Sequence, residues 1–161
     1  MSPVKYIELT RAAFSSQGFP PYEWVVNRFA PFTPFQKNLN ECRVSLLSTG
    51  GFYIRGKQEP FDPNKNDLSF REIPKDIDVG ELGISHNNYD RADAESDVNC
   101  VFPIERFREL EREGYIGELS LLNYTIMGRI FRLTALKNEL APQILSKLKA
   151  HNVDVFFLVP A

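Results

Sequence analysis

The chain has 161 residues, 43% of them hydrophobic and 25% charged, with a formal net charge of −2. That length fits one domain or most of one, with enough apolar mass for a core. The near-neutral balance gives no electrostatic case for nucleic acid or an anionic membrane. No apolar run approaches the roughly 18 residues of a membrane span, and the amino terminus lacks the apolar core of a secretory signal. Cys42 and Cys100 form neither a CxxC pair nor a metal-ligand spacing, which fits free thiols in a reducing cytoplasm.

Residues 1–40 are set apart by composition. The stretch "FPPYEWVVNRFAPFTPF" carries four prolines, Pro20, Pro21, Pro31 and Pro34, which exclude a long regular helix. A short helical piece before Gly18 and then an apolar arm are expected. Trp24, Phe29, Phe32 and Phe35 either complete the chain's own core or form a subunit interface. Residues 41–161 read as the main domain.

"CRVSLLSTGG" (42–51) reads as a buried strand. The glycines after it allow a positive φ or a close backbone approach, so Thr49-Gly50-Gly51 is either a plain turn or a place where a ligand nears the chain. Residues 56–76 are polar and turn-rich and read as loop. A second short strand is expected around Leu82 to Ile84, followed by an acidic loop, residues 86–99. "FPIERFRELEREGYIG" (102–117) reads as a helix. Pro103 suits its start, Ile104, Phe107 and Leu110 share one face, and Gly114 can close it. On the other face, pairs Glu105–Arg108 and Glu109–Arg112 are expected. Residues 116–128 are a strand or extended loop. Residues 133–153 are helical, with Pro142 kinking the helix or starting its second part. "DVFFLVPA" (154–161) ends the chain with a strand expected to be buried on both faces.

Chemistry is sparse. The acidic loop holds His86, Asp90, Asp93, Glu95 and Asp97, but a single histidine and an irregular Asp spacing make a poor metal site, and no metal is assigned. There is no hydrolase triad. His151 sits at a helix end, where a positive charge is favourable. Cys100 precedes a helix start, where a thiolate would be stabilised, yet its apolar neighbours Val101 and Phe102 predict a buried structural thiol. The residues alone support an α/β domain with a mostly parallel sheet.

Four stretches in order carry a resemblance: "LLSTGGFYIRGKQEPFD" (46–62), "DLSFREIP" (67–74), "ISHNNYDRADAESDVNCVFPIERFRELEREGYIGEL" (84–119) and "NVDVFFLVPA" (152–161). Together they make the chain resemble the selenoprotein B family of the glycine, sarcosine, betaine and D-proline reductases, closest to its short members. The resemblance implies a Rossmann-like or flavodoxin-like α/β fold, incomplete here at the carboxyl end. It implies reductive C–N cleavage at the α-carbon of an amino-acid-type substrate by a selenolate, whose low pKa supplies a charged nucleophile without a base. It also implies other reductase-complex subunits and a thiol or selenol carrier as partners; a homo-oligomer is a further expectation, and the two free cysteines fit a cytoplasmic location.

In this family the selenocysteine follows the strand that here reads "DVFFLVPA". The expectation is therefore that the codon after Ala161 is UGA, and that a further α/β unit follows in frame. No catalytic residue and no cofactor is assigned within these 161 residues. A non-catalytic binding or assembly subunit of the same fold is the alternative. The substrate-pocket candidates are Thr49, Gly50 and Gly51 after the first strand, and His86, Tyr89, Asp90 and Asn99 in the acidic segment, near the carboxyl ends of strands where open α/β sheets bind ligands.

Overall fold

The computed structural model describes residues 5–24 and 26–161. The chain divides into two units, one up to Phe35 and one from Gln36. The first contains α1 (Tyr6–Ser16) and an extended segment. Gly18, at φ +80°, ends α1 in a Schellman turn. Its N–H donates to Ser15 O and the Phe19 N–H to Phe14 O, with the Phe14 and Phe19 rings 6.2 Å apart. Tyr22 packs edge-on against both Phe14 and Trp24. The following aromatics stay exposed, Phe29 at 81% and Phe32 at 87%.

The second unit is a mixed sheet with helices on both faces. Its centre is β1 (Arg43–Ser48), five of whose six residues are buried. On one side β1 pairs along its whole length, in parallel, with β7 (Val155–Val159). On the other it pairs in parallel first with β5 (Glu118–Leu119) and then with β6 (Leu122–Thr125). The segment Arg71–Pro74, expected to be loop, forms β3 and pairs antiparallel with β6. Polar and turn-forming neighbours hide it, because only Ile73 of the four residues is buried. A separate antiparallel pair joins β2 (Phe52–Ile54) to β4 (Leu82–Ile84).

The two sheet faces build two cores. Val44 and Leu46 of β1 point into one, with Phe52, Ile73, Phe102 and Ile104. There α3 (Ile104–Arg112) lays Ile104, Phe107 and Leu110 on the sheet, as its spacing predicts. The expected ion pairs do not form. Arg108 instead donates to the carbonyls of Lys75 and Ile77 and so ties α3 to the turn after β3. Arg106 pairs with Glu109 at 2.9 Å.

Leu47 and Tyr124 point into the other core, against Leu140, Ile144 and Leu148. These belong to a helix in three parts: α4 (Leu133–Ala135), a π turn over Leu136–Leu140, and α5 (Ala141–Ala150). Pro142 has no N–H and cannot continue an α ladder. The widened turn before it absorbs that break, and Pro142 sits in the first turn of α5. Among the described residues no helix is long and apolar enough to cross a membrane.

Two polar devices hold the central strand. Asp154 accepts from the Arg43 N–H and from Lys37, both at 2.8 Å, which anchors the start of β7 against β1. The paired Lys37 ammonium holds the Asp154 carboxyl below its usual range. Between β5 and β6 the ladder is broken, and the fully buried Asn123 mends it. Its Oδ1 accepts the Leu46 N–H at 3.0 Å, and its amide donates to Ser120 O at 3.2 Å. The strand expected to be buried on both faces has no buried residue, and Phe157 on one face and Leu158 on the other are 45% and 60% exposed; among the described residues β7 pairs with β1 alone, so it is also an edge strand. An apolar groove of about 460 Å³ runs along that edge, lined by Leu47, Leu140, Ile144, Leu148, Phe156 and Leu158 among others.

Asn123→Ala leaves a buried N–H and a buried carbonyl without partners. Each such group costs about 1–3 kcal/mol, so unfolding in urea should show a loss of roughly 2–4 kcal/mol. An unchanged transition midpoint would show that Asn123 does not bridge the ladder.

Candidate functional site

The carboxyl ends of β1, β6 and β7 meet at Thr49-Gly50-Gly51. The Thr49 N–H donates to Val159 O at 3.0 Å, and Thr49 Oγ1 accepts the Ala161 N–H at 2.8 Å, so the end of β7 is tied to the loop. From β6, the Gly51 N–H donates to Ile126 O at 3.0 Å and the Gly128 N–H to Thr49 O at 2.9 Å. The Gly50 N–H turns back to Ser48 Oγ at 3.0 Å. The Ser85 N–H, after β4, donates to Gly51 O at 3.0 Å. The three amide N–H groups of the loop are therefore all engaged.

The glycines are needed here for two separate reasons. Gly51 has φ +72°, and a Cβ there would stand 3.1 Å from His86 Cβ. Gly50 has ordinary φ, but a Cβ would come within 2.6 Å of the Val101 side chain and 2.8 Å of the Phe52 ring. The close approach that two consecutive glycines suggest is made by the protein itself. It brings the His86 segment and the Val101 turn against the end of β1.

His86 is 4% exposed. Its Nδ1 accepts the Asn88 N–H at 3.0 Å, which fixes the neutral ring with its proton on Nε2. Burial, and then the nearby Arg129 guanidinium, push its pKa below the ordinary value of 6.5. The Tyr89 ring lies 5.0 Å from the imidazole, and its hydroxyl donates to Gly50 O at 3.2 Å. Burial raises the Tyr89 pKa. The site thus holds a neutral imidazole donor and a neutral phenol on a rigid backbone knot.

Of the seven candidates, Thr49, Gly50, Gly51, His86 and Tyr89 come together. Asp90 and Asn99 serve local structure. Asp90 accepts the Ala92 N–H at 3.0 Å at the start of α2 (Ala92–Ser96). Asn99 lies in the turn before α3, where its Oδ1 accepts the Glu105 N–H at 3.1 Å and its amide donates to the Glu105 carboxylate at 2.7 Å. That reciprocal pair caps the helix in the manner of a capping box. Cys100 is exposed, not buried, because the same turn directs it outward while Phe102 fills the core. Cys42 is the buried thiol and donates to Asn38 O at 3.0 Å. Among the described residues no three His, Cys, Asp or Glu side chains gather as a metal would require.

Arg129 and Gly128 were not among the candidates. Their signal is a glycine directly after an apolar strand, "YTIMGR", the pattern already used for Gly50-Gly51. A Cβ on Gly128 would stand 2.9 Å from Thr49 Cβ, so this glycine also permits two strand ends to touch.

The mixed α/β sheet belongs to a defined class. The family model described as glycine/sarcosine/betaine reductase selenoprotein B matches residues 24–161, and the chain belongs to that family. It is 34% identical over 139 residues to the D-proline reductase subunit gamma of Acetoanaerobium sticklandii, covering 86% of this chain and 53% of that protein. It is 28% identical over 131 residues to the glycine reductase complex component B subunit gamma of Symbiobacterium thermophilum, covering 80% and 30%. It is 28% identical over 102 residues to the sarcosine reductase complex component B subunit beta of Peptoclostridium acidaminophilum, covering 60% and 22%. The chain thus spans about half of the first relative and less than a third of the other two. No solved structure matches.

The depressed pKa of His86 sets a direction for pH. As pH falls below 6.5 the unfolded chain takes up a proton before the folded one does, so stability is full above that value and declines as pH drops toward the lower folded pKa. Denaturation midpoints should fall between pH 7.5 and pH 5.5, and His86→Asn, which keeps an acceptor for the Asn88 N–H, should flatten the fall. An equally steep decline in the variant would place the titrating group elsewhere.

Proposed function

We propose that this chain is the amino-terminal part of a selenoprotein-B-type reductase component acting in the cytoplasm on a small amino-acid-type substrate of the glycine, sarcosine, betaine or proline kind. The observation that carries the reading is the knot at Thr49-Gly50-Gly51, where three strand ends, His86 and Tyr89 converge in a chain of this family. The reaction is reductive cleavage of the bond between the α-carbon and nitrogen. The amine leaves with the bonding pair and a proton, a hydrogen takes its place on carbon, and a dithiol supplies two electrons and becomes a disulfide. A selenolate entering directly beyond β7 would supply the nucleophile. The bond from the Ala161 N–H to Thr49 Oγ1 supports that position, since it holds the end of β7 at the site.

The chain's own groups would orient the substrate. His86, neutral at pH 7, offers Nε2–H as a hydrogen-bond donor. Tyr89 and the glycine loop hold that ring in place and pack water out behind it. Thr49 Oγ1 fixes the segment that brings the nucleophile. Other subunits of the reductase and a thiol or selenol carrier are the partners this chemistry needs, since the electrons come from outside the chain.

A second reading, a binding or assembly subunit without its own chemistry, draws on the exposed Phe29 and Phe32 of the amino-terminal unit and the uncovered Leu158 edge.

The discriminating experiment is dithiol-dependent C–N cleavage by the complete reductase carrying His86→Asn, assayed with D-proline, glycine, sarcosine and betaine. The proposal expects kcat/KM to fall about a hundredfold while the melting temperature moves little. Full activity in the variant, or a wild-type complex that assembles but cleaves none of the four, would favour the assembly reading.

A further inference from the structure

Residues 29–35 read "FAPFTPF": a phenylalanine at every third position, Phe29, Phe32 and Phe35, with Pro31 and Pro34 between them. Each proline fixes its own φ near about −65° and pushes the residue before it, Ala30 or Thr33, into extended backbone. That is the pattern of a polyproline II helix, which has three residues per turn, so residues three apart share one face. In the structure residues 29–35 carry neither helix nor strand, have no positive φ, and form no backbone hydrogen bond among the described residues. Phe14, Phe19, Tyr22 and Trp24 of the same unit pack on one another. Phe29, Phe32 and Phe35 are exposed and stand as a preformed row on one side of the segment.

The second unit carries a groove that suits such a row. It is apolar, about 460 Å³ in volume, and lies between β7 and the three-part helix. Phe156 and Leu158 form one wall, and Leu140, Ile144, Leu145 and Leu148 the other. At a rise of about 3.1 Å per residue the three rings span roughly 19 Å. The five residues of β7 extend about 17 Å and the ten of α5 about 15 Å. Row and groove therefore agree in length to within one ring. The segment cannot add to the open edge of β7 as a regular strand, because Pro31 and Pro34 have no N–H to donate. Its side chains remain, and proline-rich segments enter apolar grooves by that route.

We propose that two copies of the chain join here, each laying its Phe29–Phe35 row in the groove between β7 and α5 of the other. The area favours the reciprocal form. Three phenylalanines bury roughly 500 Å². Counting the groove wall, one seated row removes roughly 1,000 Å² from water, short of the ~1,200 Å² of a stable interface. Two rows seated about a twofold axis remove roughly 2,000 Å², which a stable pair requires, and the contact closes on itself. None of these residues belongs to the knot at Thr49-Gly50-Gly51, so the pairing is independent of the chemistry proposed above.

The test is sedimentation of the full chain over a dilution series. The parent should be a dimer that dissociates on dilution. Phe29→Ser, Phe32→Ser and Phe35→Ser together should weaken association at least about a hundredfold. Leu145→Lys with Leu158→Lys, exposed positions on the two walls of the groove, should do the same. Neither set removes a buried side chain, and unchanged circular dichroism and melting temperature confirm the fold of each variant. A parent that is monomeric at every concentration overturns the proposal, since the row then rests in its own chain or on a different protein. A phenylalanine variant that still dimerises overturns it in favour of direct pairing of β7 edges. A folded groove variant that still dimerises overturns it in favour of the rows packing on each other.

Discussion

The structure depends on β1 being satisfied on both edges. A strand with five buried residues cannot leave backbone groups unpaired, because each would forfeit a hydrogen bond that water would otherwise provide. Parallel pairing with β7 satisfies one edge. The other needs two short strands and an asparagine side chain to bridge their gap. Since β6 and β7 run parallel to β1 and pair with its last residues, their carboxyl ends arrive at Thr49. The position of the candidate site follows from that pairing, in keeping with the general placement of ligands at the carboxyl ends of open α/β sheets.

Glycine is what lets those ends meet. Gly50 and Gly128 sit where a Cβ would collide with Val101 or Thr49, and Gly51 takes a positive φ with His86 close by. The resulting knot uses its own amides for internal hydrogen bonds and is a rigid support. Around it stand a buried neutral imidazole and a phenol bonded to the loop. Functional groups mounted on a preorganised frame are held more accurately than groups on a free loop.

Much of this was legible in the sequence. β1 showed as an apolar run ended by glycines, α3 by its apolar spacing and its closing glycine, and the break at Pro142 by the missing N–H. The pocket candidates Thr49, Gly50, Gly51, His86 and Tyr89 were found together because the first three follow a strand and the last two open a histidine-bearing segment. What was hidden depended on tertiary partners. β3 buries one residue of four and is a strand only because β6 lies beside it. The bond from the Glu105 N–H to Asn99 Oδ1, at the start of α3, joins residues that the sequence shows only as part of an acidic segment. Cys100 looks buried from its neighbours, yet the turn before α3 directs it to solvent.

The most direct measurement is an experimental structure of the complete reductase component with D-proline, glycine or betaine bound. The account predicts the ligand at the joined ends of β1, β6 and β7, within hydrogen-bond distance of His86 Nε2. A ligand seated in the apolar groove between β7 and α5, or at the opposite ends of the strands, would contradict it.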